Sequence, residues 1–409
     1  MRRFALVIAL LPGCGNALAE FSGNVAAEAV TFPEAAQFDG QFDRDLSFSF
    51  EPRWDGQWND GDDLWSVELF TRQGSKDEGR DHNDIRELLW LHVDGDNEWR
   101  VGINTMFWGV AESQHLVDVI NQIDAVESID GEEKLGQPMI HLKRYQDWGV
   151  LDFLVLPYFR ERTFHDRPGR LREPLVVDDD ATEYQSSAGQ NHIDYALRFS
   201  NTYDNLDLGI SWFQGTRRDP LLFPGVDDRG EPVLIPYYEQ MKQLGIDAQL
   251  IYLDWIWRLE MIHRNADSGD ATAFVYGFEY TFYGVMDSVT DIGAIVEYSY
   301  NDAPEGQSGV FDRDVFIGAR FALNDAQSSE LLAGFLVDTS NHGHSFRIEA
   351  SRRIGASWKL ELELQTFANI DKVDQPSSFV DVADTGFADD PQASFANDSY
   401  LLVDMAYYF

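Results

Sequence analysis

Cysteine is all but missing from this chain: Cys14 is the single one in 409 residues. It lies in the amino-terminal segment, so everything downstream must hold together without disulfides and without thiolate metal ligands. Long apolar runs are missing as well. Beyond that first segment nothing approaches the roughly 18 consecutive apolar residues a spanning helix needs, so any crossing of a membrane falls to strands. Positive charge is scarce, with 31 Lys and Arg against 71 Asp and Glu and a net charge of −40. Such a chain is repelled by nucleic acid and by anionic membrane surfaces. No run of residues has the spacing of a metal or cofactor motif, and none is expected.

What is present begins with Arg2 and Arg3, an apolar stretch from Phe4 to Leu11, and Ala17-Leu18-Ala19. A charged start, an apolar middle and a small-residue site describe a signal peptide over 1–19, with the mature chain starting at Glu20. A competing reading takes Leu11-Pro12-Gly13-Cys14 as a lipoprotein site, for which Pro12 is a poor fit. Aromatic residues make up 13% of the chain while mean hydropathy is −0.33. The acids crowd into short segments near 59–63, 77–84, 94–98, 177–183 and 226–231, between apolar stretches. That combination fits strands with one greasy and one polar face joined by acidic loops. An acidic soluble β-sandwich from a saline habitat is the plain alternative.

The final stretch alternates: Leu401, Val403, Met405, Tyr407 and Phe409 are apolar or aromatic, with Asp404, Ala406 and Tyr408 between them. A strand of this kind suits a lipid-facing wall ending in an interfacial aromatic girdle. Its aromatic end, Tyr407 and Phe409, resembles the assembly signal of Gram-negative outer-membrane proteins. Counting back from it, short links alternate with long ones, which predicts an all-β transmembrane antiparallel barrel of about eighteen strands, or about sixteen if the first two runs are mispaired. The link near 55–63 is awkwardly long for a periplasmic turn. Parity assigns the faces. Phe274, Tyr276, Phe278 and Tyr280 point to lipid, as do Trp255, Trp257 and Leu259, whereas Arg198, Arg258, Arg264, Arg320, Arg347, Glu297, Glu349 and Glu363 point inward. An Arg or Lys facing mid-membrane lipid costs about 2–4 kcal/mol, so this segregation is enforced. Mixed charges on the inner wall can equally well just pair and solvate one another.

One stretch breaks the strand pattern. Between Phe107 and Gly136, Leu116, Val119, Ile120, Ile123 and Val126 recur at helical spacing, with Ser113 as a cap and Asp130-Gly131 as a stop. The count makes this the third outside loop, and it is too apolar to remain in water. We expect a partly helical loop folded into the lumen, with Glu112, Asp118, Asp124, Glu127, Glu132 and Glu133 facing wall arginines across a constriction. Asn121 shares its polar side, and His115 would hydrogen-bond there. A lid that merely fills the mouth fits the same pattern.

The run Phe107-Trp108-Gly109-Val110, then Glu112-Ser113-Gln114-His115-Leu116-Val117-Asp118-Val119-Ile120-Asn121, followed by Lys134-Leu135-Gly136-Gln137-Pro138, resembles a signature of uncharacterised proteobacterial outer-membrane β-barrels. It is similar, more loosely, to a larger barrel family of unknown function and distantly to alginate-export porins. The resemblance implies the fold and a multi-pass place in the outer membrane of a Gram-negative bacterium, and names no solute. The expected function is a porin-like channel for passive diffusion of small solutes, selective or not. The alternatives are a non-conducting surface barrel (receptor, adhesin or structural protein) and, third, an outer-membrane hydrolase. Its best catalytic candidate, Ser340-Asn341-His342-Gly343-His344-Ser345, lies in a predicted outside loop and reads more simply as a solvated turn, so no enzyme is expected. Expected partners are outer-membrane lipid and lipopolysaccharide, the barrel assembly machinery and an unidentified small solute. Acidic loops could hold divalent cations, but none has the EF-hand spacing.

Overall fold

The computed structural model describes residues 19–304, 313–340, 342–373 and 391–409. The proposed signal segment therefore lies, but for Ala19, outside the described residues, as does Asn341. Eighteen strands form one antiparallel sheet that closes on itself. In chain order they are β1 (Glu20–Thr31), β2 (Arg44–Trp58), β3 (Asp63–Gln73), β4 (Asn83–Asp94), β5 (Asn97–Asn104) and β6 (Gln137–Gln146). Next come β7 (Gly149–Leu156), β8 (Asp194–Tyr203), β9 (Leu206–Thr216), β10 (Gln240–Tyr252), β11 (Trp255–Ala266) and β12 (Gly269–Phe282). The wall is completed by β13 (Asp291–Asn301), β14 (Asp314–Ala322), β15 (Glu330–Asp338), β16 (His344–Ile354), β17 (Trp358–Ala368) and β18 (Tyr400–Tyr408). Each strand pairs with its neighbours in sequence, and β18 pairs with β1 from Asn24 opposite Tyr408 to Thr31 opposite Leu401. Closure leaves no strand edge unpaired, the condition for spanning hydrocarbon with strands.

The seam is tied at its periplasmic end. Gly23 and Phe409 exchange backbone hydrogen bonds at 3.2 and 3.1 Å, and the Phe409 ring lies 5.4 Å from Phe21 and 6.4 Å from Phe50. Tyr407 points outward against Trp358, centroids 5.0 Å apart. The two aromatic residues of the expected assembly signal therefore belong to the closing girdle.

Turns on the periplasmic side are short, such as 95–96, 147–148, 204–205 and 253–254, whereas the outer loops include 105–136, 157–193 and 217–239. We number the outer loops L1 to L9 in chain order, so that these three are L3, L4 and L5 and the last link, 369–399, is L9. The link expected at 55–63 is shorter than the sequence suggests: β2 runs on through Trp58, and only 59–62 turn the chain. Asn59 and Asp60 take positive φ there, which packs the reversal into a few residues. L4 and L5 knit into a separate small sheet, in which Leu221–Val226 pairs antiparallel with Pro232–Tyr238.

The faces follow the predicted parity. Tyr276, Phe282, Met261, Trp358, Ile317 and Phe335 are exposed on the outside, and Trp255 stacks on Trp257 and packs on Phe278 and Tyr280. An aromatic and aliphatic belt around a closed barrel is a lipid-facing surface. The chain is a multi-pass β-barrel of the Gram-negative outer membrane. Replacing Leu259, on the lipid side of β11, with Arg should lower unfolding stability by about 2–4 kcal/mol, read from urea titration of the heat-modifiable gel band. An unchanged midpoint would remove Leu259 from the lipid face.

Candidate functional site

L3, residues 105–136, enters the lumen as expected but contains no helix, and among the described residues the chain has only strands and short 3₁₀ turns. The reason is visible in its bonds. Val117, Val119, Ile120 and Ile123 are β-branched and disfavour helix, and the short amides and carboxylates take over the backbone's hydrogen bonding. Asn121 accepts from the Met106 N–H at 2.9 Å and donates to the carbonyls of Asn104 and Leu135 at 3.0 and 2.9 Å. Gln122 donates to the Arg160 and Arg218 carbonyls. Side chains that a helix would have turned to solvent are thus buried inside an irregular loop.

The wall supplies the rest. Glu260 of β11 accepts from the backbone N–H groups of Val110, Ala111 and Val117 at 2.7, 3.0 and 3.1 Å. Glu297 of β13 accepts from the N–H groups of Glu112 and Ser113 and from the Ser113 hydroxyl. Gly109 has φ 141°, and a Cβ there would fall 2.8 Å from the Glu260 carboxylate, so glycine is required for that approach. From the other side Arg218 of L5 donates to the carbonyls of Val119 and Ile120. Beneath these bonds Val117, Val119, Ile120 and Trp108 pack on lumen-facing Met139, Leu154, Leu156, Phe213, Met241 and Ile262. L3 is therefore glued to the half of the wall formed by β6 to β12.

Its far arm crosses toward the opposite half and ends in ion pairs. Asp124 bonds to Arg86 at 2.7 Å, His82 at 3.0 Å and the Thr163 hydroxyl at 2.8 Å. Glu127 takes three bonds from Arg72, which also meets Glu28 at 3.2 Å. Asp130 pairs with Arg347, itself shared with Glu349 and Glu363. Glu112 pairs with Arg320, and Arg258 stands 3.8 Å away, held to Glu279 at 2.8 Å. The acids of L3 do meet wall arginines, but in contact rather than across an open gap.

Several expected pore residues have other places. Asp118 is buried against Lys134 at 3.2 Å and accepts from the Trp108 N–H, so it braces L3 internally. Burial raises its carboxyl above the usual range against the pull of Lys134. Asn121 and Asp124 are equally closed off from the lumen. Arg198 is bidentate to Asp247 at 2.6 and 2.7 Å under the Trp108 ring. Gly209 leaves the space for that pair. Arg264 stays near the outer end of β11, away from the constriction. His115 packs edge-on against Phe107 with Glu132 at 3.9 Å. Of the residues expected at the constriction, Glu112, Glu132 and Arg347 border the narrow zone on both sides, His115 borders it from the outer side and Arg320 from the inner side, and Arg258 approaches it through Glu112. The sequence reading missed Arg72, Arg86 and His82. In β4 the register slips, with Glu68 opposite Glu87 and Leu69 opposite Ile85, so that Arg86 is an extra residue and faces inward together with Glu87. Strict alternation would have put them on opposite faces.

Among the described residues, two large adjoining cavities lie on the side L3 leaves free. The outer one, about 490 Å³, and the inner one, about 630 Å³, share Glu112, Ser128, Asp130, Glu132, Leu332, Arg347 and Glu349 as lining. The narrow zone is thus a partition of L3 tip and β14 to β16 side chains. Among the described residues the inner cavity is lined by twelve carboxylates and four cationic side chains. Glu133 is exposed to this chamber yet enclosed by protein: that enclosure raises its carboxyl to about 7, with Glu127, Glu51 and Asp124 adding repulsion against the pull of Arg86. Of the hydrolase candidate, His344 packs flat on Phe335, on the lipid face, and His342 offers its carbonyl to Asn369.

No family model and no curated protein matches the chain. Among solved structures, OpdQ of Pseudomonas aeruginosa is 10% identical over 96% of this chain and 98% of its own, with a TM-score of 0.49. OmpT, an outer membrane protein of Vibrio cholerae, in its trimer form, is 9% identical over 96% and 99%, with a TM-score of 0.48. A mutant of the Rh. blastica porin is 11% identical over 96% and 100%, with a TM-score of 0.47.

Two outcomes test the loop geometry. Glu260→Gln replaces a triple acceptor with a group that must turn an NH₂ toward backbone donors, and a bond to a charged acceptor is worth about 1.5–3 kcal/mol. Amide exchange at Val110, Ala111 and Val117 should rise together, and unchanged exchange would detach Glu260 from L3. The His82–Asp124 pair gives a pH window. Burial works against His82 protonation, but the bond and charge of Asp124 raise its pKa. Burial likewise raises Asp124, yet His82, Arg86 and Thr163 hold it at about 2. The pair's stabilisation is complete below the ordinary His value and lost as pH rises through the raised one, and on the acid side it is lost only as pH falls toward about 2. Proteolysis of L3 should accelerate at alkaline pH in the wild type, and His82→Gln should already be fast at neutral pH and lack that rise.

Proposed function

We propose that the chain is a porin-like diffusion channel of the outer membrane that favours cations. The observation that carries this reading is the one-sided seating of L3. The loop commits its apolar core to β6–β12 and reaches the other half through the ion pairs of its arm alone, leaving two adjoining cavities along that half. Solutes would pass between the Glu112–Arg320 and Asp130–Arg347 pairs, whose carboxylates stand at the partition shared by the two cavities. The acidic excess of the inner chamber concentrates cations and repels anions, a field strengthened by the low-dielectric wall. No step of this reading involves catalysis.

In planar bilayers under a KCl gradient the purified barrel should conduct with a reversal potential of cation-selective sign. Absence of conductance, both intact and with Glu112→Ala and Asp130→Ala freeing the loop tip from Arg320 and Arg347, would sink the channel and leave a closed surface barrel. Selectivity should also follow pH. A carboxyl with its pKa raised to about 7 is charged above that pH and neutral below it, so cation preference should grow between pH 6 and 8. Glu133→Gln should flatten that slope without abolishing conductance.

A further inference from the structure

A water-filled barrel interior is expected to be polar, and the inner chamber is. The outer chamber is lined differently. Phe316, Leu332, Leu336 and Phe367 occupy lumen-facing positions of β14, β15 and β17, the same parity that carries Arg320, Glu330 and Glu363 lower on those strands. Gly318 and Gly334 are cross-strand partners on that face. A Cβ on Gly318 would come within 2.8 Å of the Phe316 ring and one on Gly334 would overlap it, so the two glycines let the ring lie down on the wall and keep the chamber open. Phe395 of L9 extends the aromatic surface, its ring 6.1 Å from Phe367. Ile129 of L3 and Leu175 of L4 face the same space. L3's own apolar core lies on the opposite wall, so these side chains are not needed to seat it.

The charges around this chamber are unevenly engaged. On its upper rim Arg162 is taken by Asp219, Arg172 donates to the carbonyls of Arg167, Glu173 and Pro174, and His165 is bonded to Asp77. Arg347 at the floor is divided among three carboxylates. Glu132, by contrast, has 65% of its side chain exposed, and among the described residues the cation it meets is His115, at 3.9 Å. Glu349 shares the same floor. An apolar space of about 490 Å³ over a carboxylate floor has the dimensions of a small-molecule pocket.

We propose that the outer chamber is a binding site for small aromatic amines, the ring lodged against Phe316 and Phe367 and the ammonium group directed to Glu132 and Glu349 at the threshold of the inner chamber. The site deepens the channel reading by naming its solute class, but binding itself does not depend on conduction. Aromatic faces recognise both the ring and the cation, and the carboxylate floor rejects an acid of the same shape.

The test is calorimetric titration of the full barrel in lipid nanodiscs with phenethylamine, phenylacetate and ethylamine. Phenethylamine should bind saturably, one per barrel, and the other two at least about tenfold more weakly. Phe316→Ala combined with Phe367→Ala should weaken phenethylamine by about tenfold or more, with folding checked by heat-modifiability. Should that variant fail to fold, Glu132→Gln, on an exposed loop side chain, should still weaken phenethylamine while leaving neutral 2-phenylethanol unchanged. Equal binding of all three probes, or phenethylamine binding indifferent to both variants, overturns the site. Conductance measured on the same preparation separates the two readings. A barrel that binds but does not conduct keeps the site and loses the channel, and one that conducts without binding phenethylamine loses the site alone.

Discussion

A long irregular loop inside a barrel must find partners for its backbone. Two wall carboxylates, Glu260 and Glu297, meet this demand by receiving five N–H groups of L3 between them. Buried acceptors with a full charge make stronger bonds than neutral ones, and a carboxylate left in that place without donors would be costly. The wall and the loop are therefore complementary in both directions: without Glu260 and Glu297 the loop's donors are orphaned, and without the loop two acids are stranded. The placement of the apolar cluster, the reach of the tip to Arg347 and the free half of the lumen all follow from this anchorage.

The ion pairs at the far arm have a different role. Buried pairs seldom add much net stability, because desolvation offsets attraction, yet removing one partner costs about 3–5 kcal/mol. Arg86 with Asp124 and Arg72 with Glu127 thus serve as register marks that position the arm. The partition between the two chambers is a consequence of that positioning, and it is made of groups that water can substitute.

Much of the barrel was legible in the sequence because lipid punishes error. Alternation in β11, β12 and β17 gave the correct face for Trp257, Arg258, Tyr276, Glu361 and their neighbours, and the parity of short and long links gave the strand number and the place of L3. The inside of the lumen was harder. Helical spacing in L3 misled because its apolar residues anchor an irregular chain to a wall, and a wall contact carries no period. The one usable signal was in the partner strands: β7 reads Leu151, Phe153 and Val155 outward and Leu154 and Leu156 inward, apolar on both faces where a water-facing side was due. Arg86 was hidden by a bulge, which leaves no mark in an alternating pattern. The glycine pair beneath Phe316 was equally silent, since Gly318 and Gly334 meet only across strands.

The apolar core of L3 draws its wall partners from β6 to β12, and these strands follow the loop directly in the chain. The first of these contacts, with Met139, Leu154 and Leu156 of β6 and β7, join segments close in sequence and form with little loop-closure entropy. The seam between β1 and β18, by contrast, joins the two ends of the chain and lies on the unplugged side. The order of the sequence therefore permits the loop to dock on a still open, curved sheet, with the cylinder zipped shut last, at a place where no plug has to be threaded through the closing gap.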